Sequence, residues 1–183
     1  MTTERLIPRR IIDFWTAVGR DKWYTRDDAL DAAITEQFGA AHAAAAQGEL
    51  ADWEASSDGA LALLLLLDQF PRNMFRGSAR AFATDGAARA LADRAIARGF
   101  DTSCDPILRR FFYLPFMHSE ALADQQRCIA LCRADGDEEG VKYAVMHRDI
   151  IANFGRFPHR NSVLGRAMTE AEIAYLSDGG FSG

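Results

Sequence analysis

The feature that most constrains the fold is an apolar run at residues 60–67, which consists of two alanines and six leucines. Asp58 and Asp68 flank this run. It has under half of the roughly 20 residues that a membrane-spanning helix needs. A helix over residues 58–70 is apolar nearly all round, and such a helix lies in the core of a domain rather than on its surface. The run therefore predicts a buried central helix.

The composition indicates that the rest of the chain is helical as well. The sequence contains 32 Ala but only 22 Val, Ile and Thr together, and this ratio favours helix over sheet. Apolar residues recur at helical spacing, and no β-hairpin signal occurs. We therefore predict an all-α fold, with residues 1–183 forming a single domain of about seven to nine helices in stacked antiparallel pairs.

Local signals predict where several helices begin and end. Pro71 predicts the end of the apolar helix, because proline cannot donate a backbone hydrogen bond. Asp105 followed by Pro106 is typical of a helix start and predicts a helix from residue 107 to about residue 117. Hydroxyl side chains predict five more N-caps, at Thr25, Ser57, Thr84, Ser119 and Thr169, the last in a capping box with Glu172.

Charge, chain start and cysteines exclude several classes of protein. A net charge of −5 and a pI near 5.4 argue against a generally basic nucleic-acid-binding protein. Residues 1–10 lack the apolar core of a secretory signal. Cys104, Cys128 and Cys132 match no zinc or redox spacing, and the last two have the spacing of buried thiols on a helix. We expect a cytoplasmic protein with no cofactor, no membrane partner and no nucleic-acid partner.

Two segments resemble each other, and each follows an apolar helix. Phe-Pro-Arg-Asn at residues 70–73 is followed by Arg76, and Phe-Pro-His-Arg-Asn at residues 157–161 is followed by Arg166. Arginine and asparagine can donate to the unpaired carbonyls of a helix end, and a cation complements the helix dipole there. One interpretation is therefore architectural, with caps and buried ion pairs holding the domain together.

The distribution of charge favours a second interpretation, a binding site. Residues 142–166 contain five cationic residues and one acid, a net charge of +4, so that the remaining chain carries −9. The whole sequence has 19 Arg but only 2 Lys. Arginine recognises carboxylates and phosphates with two parallel hydrogen bonds, and a local positive charge attracts small anions.

Our leading hypothesis is a binding protein whose Arg/His/Asn-rich cleft holds a small anionic ligand or an acidic peptide. The candidate ligand-binding residues are Arg72, Asn73, Arg76, His118, Glu120, His147, Arg156, His159, Arg160, Asn161 and Arg166.

An alternative hypothesis is a hydrolase or transferase that acts on an anionic substrate. His147 or His118 would be its acid–base group, because the pKa of histidine lies near working pH, and Glu120 would orient it. Equally, His147 can be a core histidine bonded to a buried acid such as Glu120. No metal is predicted, since the side chains of a His-x-acid pair point about 200° apart on a helix and cannot converge on one ion.

Six strings of the sequence together resemble a mainly bacterial family catalogued as domain of unknown function 924. They are IDFW (12–15), LDQFPRN (67–73), FYLPFMHSE (112–120), HRDII (147–151), FGRFPHRN (154–161) and LGR (164–166). The resemblance implies an all-α array of helical pairs of the tetratricopeptide-like type, although the 34-residue period of ordinary tetratricopeptide repeats is missing. It implies no catalytic residue. The polar residues that it carries over are Asp68, Gln69, Arg72, Asn73, His118, Glu120, His147, Arg156, His159, Arg160, Asn161 and Arg166.

Overall fold

The computed structural model describes residues 7–182, and all regular structure in that range is helical. The all-α prediction is therefore confirmed. The α-helices are α1 (Pro8–Val18), α2 (Arg20–Trp23), α3 (Asp28–Ala46), α4 (Ser57–Leu64), α5 (Phe70–Met74), α6 (Asp85–Ala97), α7 (Leu114–Met117), α8 (Leu122–Asp135), α9 (Glu138–Phe154) and α10 (Glu170–Ser177). Short 3-10 helices cover Ala51–Ala55, Ala79–Phe82, Pro106–Phe112 and Pro158–Arg160. None of the described helices is long and apolar enough to cross a membrane.

The described chain forms two compact units. The first consists of residues 7–76 and 80–115, and the second of residues 77–79 and 116–182. The first unit thus contains α1 to α6, and the second contains α8 to α10. That residues 1–183 form a single domain stays a prediction.

The apolar run lies at the centre of the first unit, as predicted. Every residue from 59 to 71 is buried. Aromatic rings from distant parts of the sequence pack at its carboxyl end, where the ring centroid of Phe70 lies 5.4 Å from that of Trp15 and 5.2 Å from that of Phe38. Each fully buried aromatic side chain stabilises the fold by roughly 1.5–3 kcal/mol.

The predicted end of this helix at Pro71 is wrong. The chain instead widens into a π-helical turn over Leu65–Gln69 and continues as α5 to Met74. Proline lacks an N–H, so position 71 offers no backbone donor to the carbonyl of Leu67 in an α-helical register, or to that of Leu66 in a π-helical register. Two side chains donate to these carbonyls instead: His42 Nδ1 lies 2.8 Å from the Leu66 oxygen, and Thr84 Oγ1 lies 2.6 Å from the Leu67 oxygen. The helix continues because α3 and the start of α6 satisfy these two carbonyls.

Other predicted boundaries are corrected by a few residues. The N-cap of α3 is Asp27 rather than Thr25, because Asp27 Oδ1 accepts hydrogen bonds from two N–H groups of α3. The N-cap of α4 is Ser56, and Ser57 donates to the Phe100 carbonyl instead.

Four predictions concerned the start of later helices. Asp105 does cap a helix, but that helix is the 3-10 segment Pro106–Phe112, so the single helix over residues 107–117 is wrong. Thr84 occupies the N-cap position of α6, although its hydroxyl donates to Leu67 and makes no cap. Ala121, not Ser119, is the N-cap of α8. The capping box of Thr169 and Glu172 is confirmed.

In the second unit, α8 and α9 pack against each other. The turn between them contains Gly136, whose φ of 71° lies in the left-handed region that favours glycine. Asp137 caps α9 by accepting the Gly140 N–H. The buried core that bears on the site consists of Ile150, Ile151 and Phe157, with Phe154, Tyr175 and Phe181 packed against it.

Candidate functional site

The predicted site residues fall into two groups, one in each unit. Arg72, Asn73 and Arg76 belong to the first unit. The second unit contains the other eight: His118, Glu120, His147, Arg156, His159, Arg160, Asn161 and Arg166.

Arg72 forms a charged cluster beside the π-helical turn. Its two terminal nitrogens bond to both carboxylate oxygens of Asp85 at 2.9 and 3.0 Å, and one of them also donates to the Asp68 carbonyl at 2.6 Å. The Asp68 carboxylate, only 1% exposed, lies 3.4 Å away. Burial lowers the pKa of Arg72, but the charges of Asp68 and Asp85 outweigh it and raise that pKa. Arg72 therefore connects α5 to the first turn of α6.

Asn73 and Arg76 share one partner, Asp31 in the first turn of α3. Asn73 Nδ2 donates to Asp31 Oδ1 at 2.7 Å. Arg76 donates to the same carboxylate through two nitrogens, Nε and Nη2. These bonds tie the end of α5 to α3.

Glu120 is the centre of the cluster in the second unit. It accepts hydrogen bonds from the Phe157 N–H at 2.8 Å and from two Arg166 nitrogens at 2.7 and 2.9 Å. Burial raises the pKa of Glu120, but the bonds from Arg166 and Phe157 and the charge of Arg160 lower it more, so the net direction is downward. The carboxylate is therefore held in its ionised form.

Asn161 fixes the other side of the Arg166 guanidinium. Arg166 Nε donates to Asn161 Oδ1 at 2.8 Å, and the Arg166 N–H donates to the Asn161 carbonyl at 2.9 Å. Asn161 is fully buried, and its amide nitrogen lies 3.1 Å from Met168 Sδ. Arg160 is buried too, with its guanidinium carbon 4.5 Å from the centre of the Phe157 ring. Together these residues order the loop between α9 and α10.

Arg156 and Glu172 form a further ion pair of this unit. Arg156 Nε and Nη2 donate to the Glu172 carboxylate at 2.6 and 2.8 Å, and Nη2 also donates to the Ala167 carbonyl. The Thr169 N–H completes the capping box at 2.7 Å. Arg156 and the Thr169 N–H hold the pKa of Glu172 well below its usual range.

This lowered pKa predicts a specific loss of stability in acid. A carboxylate whose pKa is lower in the folded chain than in the unfolded chain stabilises the fold above its unfolded pKa, and that contribution is lost as the pH falls toward the folded pKa. We therefore expect the free energy of unfolding, measured by urea denaturation, to fall from about pH 5 to about pH 2, and to fall less steeply in a Glu172→Gln variant. Glu170→Gln, on the exposed side of the same helical turn, is the matched control and should follow the wild type. Equal pH dependence in all three proteins would contradict this prediction.

Two of the predicted site histidines lie on or beside the helices of the second unit. His147 is buried, as the interpretation of a core histidine predicted, and its Nδ1 lies 2.8 Å from the Tyr143 carbonyl of its own helix. The hydrogen bonds of Glu120 come from Arg166 and from the Phe157 N–H. His118 lies half-buried in the turn between α7 and α8.

Two of the three thiols have a raised pKa. Cys128 and Cys132 are buried on α8, as predicted, and the hydrogen bond to Cys132 together with burial raises the pKa of Cys128. Burial raises the pKa of Cys104 to about 11. Since the thiolate is the nucleophile, Cys104 and Cys128 are poor nucleophiles at neutral pH. Within residues 7–182, no three His, Cys, Asp or Glu side chains are grouped as a metal site.

Sequence reasoning missed the acids that pair with the predicted cations. Asp31 and Asp85 lie in the first turns of α3 and α6, where acids are favoured by the helix dipole, so their presence there gave no separate signal. Glu172 was identified only as half of a capping box. The missing information was which helix ends meet in space.

An open cleft of about 400 Å³ lies beside the Arg156–Glu172 pair. Its lining residues are Asn153, Phe154, Arg156, Thr169, Ala171 and Glu172. The Glu172 side chain is 2% exposed, whereas the Arg156 side chain is 27% exposed. Within the described chain, the hydrogen bonds of Arg156 use Nε and Nη2 and leave Nη1 without an acceptor. Arg156 is thus the one predicted ligand-binding residue that lines this cleft.

The comparisons with known proteins agree with the fold and assign no activity. The sequence profile of the family described as "Bacterial protein of unknown function (DUF924)" matches residues 11–180. A solved structure, the "Structure of Protein of Unknown Function ATU0120 from Agrobacterium tumefaciens", is similar over 94% of this chain and 97% of that chain, with 49% sequence identity and a TM-score of 0.91. No curated protein matches. The family profile and the structural neighbour both extend over nearly the whole length of the chain. This all-helical protein therefore belongs to the DUF924 family.

Proposed function

We propose that this protein binds a small anionic ligand in the cleft beside Arg156. The observation that supports the proposal is that Arg156 retains two N–H groups on Nη1, while its carboxylate partner Glu172 is buried and its oxygens accept several hydrogen bonds. A partly exposed guanidinium with an unused edge donates well to carboxylate or phosphate oxygens.

The remaining lining residues indicate which chemical groups the ligand carries. Asn153 is exposed, and its side-chain amide has no hydrogen-bond partner within residues 7–182. The Thr169 hydroxyl accepts the Glu172 N–H and can still donate its own proton. The Phe154 ring and Ala171 supply apolar surface. A cleft of this volume lies in the range of small-molecule sites, roughly 300–1,000 Å³. These features favour a carboxylate or phosphate ester with a small apolar group over an extended acidic peptide.

The proposal narrows the binding site expected from the sequence. Arg72 and Arg166 each form two parallel hydrogen bonds with a carboxylate of this chain, and Arg76 shares Asp31 with Asn73. Arg156 is paired with a carboxylate in the same way, but of these four arginines only Arg156 lines the cleft, where its Nη1 keeps two N–H groups for an external anion. We assign the other three arginines an architectural role within their units and keep Arg156 as the ligand-binding cation.

The proposal is tested by placing a negative charge in the cleft without touching the ion pair. Isothermal titration at low salt with phosphate esters and carboxylates identifies a ligand and its affinity for the wild type. Asn153→Asp is expected to weaken that affinity about tenfold, because the new charge opposes the ligand at short distance. Replacing Arg156 itself is less informative, since it leaves Glu172 buried without its partner.

The matched control is Gln126→Glu, which makes a comparable neutral-to-negative change at an exposed position of α8 in the same unit. Its affinity should equal that of the wild type. Binding that is unchanged in Asn153→Asp, or equally weakened in both variants, would place the ligand elsewhere. If none of these compounds binds to the wild type, the proposed function is wrong.

A further inference from the structure

The segment that follows α10 returns onto α9 and covers two histidines. Phe181 packs its ring against both imidazoles, with centroid distances of 4.7 Å to His147 and 5.2 Å to His159. Phe157 lies against the same two imidazoles at 5.6 Å. His147, which sequence reasoning selected as a possible acid–base group, is thereby only 7% exposed.

The return of this segment depends on two glycines and one tyrosine. Gly179 has a φ of 82°, in the region that favours glycine. At Gly180 a Cβ atom would lie 2.5 Å from the Tyr175 carbonyl oxygen and 2.6 Å from its ring, so any larger residue would have to displace the segment. The Tyr175 hydroxyl then accepts the Phe181 N–H at 2.9 Å. This geometry directs Phe181 onto the histidines.

We propose that residues 178–182 form a strap that opens and closes over His147 and His159. In the closed state, which the structure shows, Phe181 occupies the space beside the two imidazoles. In the open state the strap leaves Tyr175, and both imidazoles become accessible to solvent and to small molecules. This inference is independent of the proposed anion site, because it rests on neither Arg156 nor the cleft.

The strap is the kind of segment that opens locally while the rest of the fold stays intact. Residues 180–182 have no regular secondary structure, and Phe181 remains partly exposed. Among the described residues, the contacts of the strap beyond the turn that ends α10 include the bond to the Tyr175 hydroxyl, the ring contacts of Phe181 with the two imidazoles, and its packing against the core. Segments with few buried contacts open at a free energy far below that of global unfolding. Imidazoles also tolerate the open state better than aliphatic side chains would, because water can solvate them.

The test is the rate at which diethyl pyrocarbonate modifies each histidine of the full chain, measured by peptide mass spectrometry. Phe181→Ala is expected to raise the rates at His147 and His159 together, by about tenfold, because it removes the cover from both. Tyr175→Phe removes only the hydroxyl that holds the strap and is expected to raise both rates by about threefold. His42, buried in the first unit, is the internal reference whose rate should not change.

Ile173→Ala, an exposed position of α10, is the matched control and should keep both wild-type rates. Unchanged rates at His147 and His159 in Phe181→Ala would overturn the proposal. Amide hydrogen exchange along α9, measured on the same variants, separates a strap from a core residue. If the amides of α9 exchange at the wild-type rate while the two histidines are modified faster, the result supports the strap. If exchange accelerates throughout α9, Phe181 belongs to the core and the proposal is overturned.

Discussion

Replacing Arg72 with alanine is expected to lower the free energy of unfolding by about 3–5 kcal/mol, the typical cost of removing one partner from a buried ion pair. The Asp68 carboxylate is almost completely buried and would lose the cation 3.4 Å away. Asp85 would lose two hydrogen bonds, and the Asp68 carbonyl would lose one. The large effect arises from these stranded acceptors more than from the attraction itself.

Urea denaturation followed by circular dichroism measures this cost. Arg10→Ala, which removes an exposed arginine of α1 in the same unit, is the control and should change stability by less than about 0.5 kcal/mol. A cost for Arg72→Ala below about 1 kcal/mol would mean that the Arg72 cluster behaves like an ordinary surface salt bridge.

Replacing Arg166 with alanine is expected to have the second largest effect, about 2–4 kcal/mol. Arg166 donates to Glu120, Asn161 and the Phe157 carbonyl, and its loss leaves the Glu120 carboxylate with the Phe157 N–H and the charge of Arg160. The expected cost is smaller than for Arg72 because the Glu120 side chain is 28% exposed and water can replace part of the lost interaction.

A double variant isolates the contribution of the charge. Glu120→Gln removes the carboxylate that Arg166→Ala would strand, so the two substitutions together should cost less than the sum of their separate costs. Arg133→Ala, at an exposed position of α8, is the matched control and should leave stability nearly unchanged. Strict additivity of the two single variants would contradict a direct interaction between Arg166 and Glu120.

Local sequence signals predicted those features that depend on neighbouring residues. The apolar run at residues 60–67 has no polar face, so it had to be buried wherever the chain placed it. The capping box of Thr169 and Glu172 needs only three residues of spacing. Both predictions are confirmed because their causes lie within one or two helical turns.

The prediction at Pro71 was wrong because its outcome depended on distant residues. Proline removes a donor, and the helix ends there unless something else satisfies the carbonyls. His42 lies 24 positions before its carbonyl partner, and Thr84 lies 17 positions after its own. No local pattern connects these residues, so the continuation of the helix could not be read from the chain.

For the candidate site, too, the sequence predicted what depends on neighbouring residues and missed what depends on distant ones. The sequence identified the cations, since arginine beside asparagine and proline is conspicuous in a chain with 19 Arg and 2 Lys. It did not identify which acid pairs with each cation, because Arg76 and Asp31 are 45 positions apart, and Arg166 and Glu120 are 46 positions apart. Of the net charge of +4 over residues 142–166, Glu120 and Glu172, which lie outside that stretch, therefore balance two charges in space.

The sequence by itself determined that this protein is all-helical, that one apolar helix is central and that residues 70–73 and 157–161 form two similar polar segments. Alanine content, apolar periodicity and capping residues act over short distances, and they suffice for those conclusions. Only the tertiary structure decided which arginines are neutralised, which one keeps free donors beside a cleft, and that Phe181 covers two histidines. The interaction between two charges and the burial of a side chain both depend on distances through space, and residues far apart in the sequence set those distances.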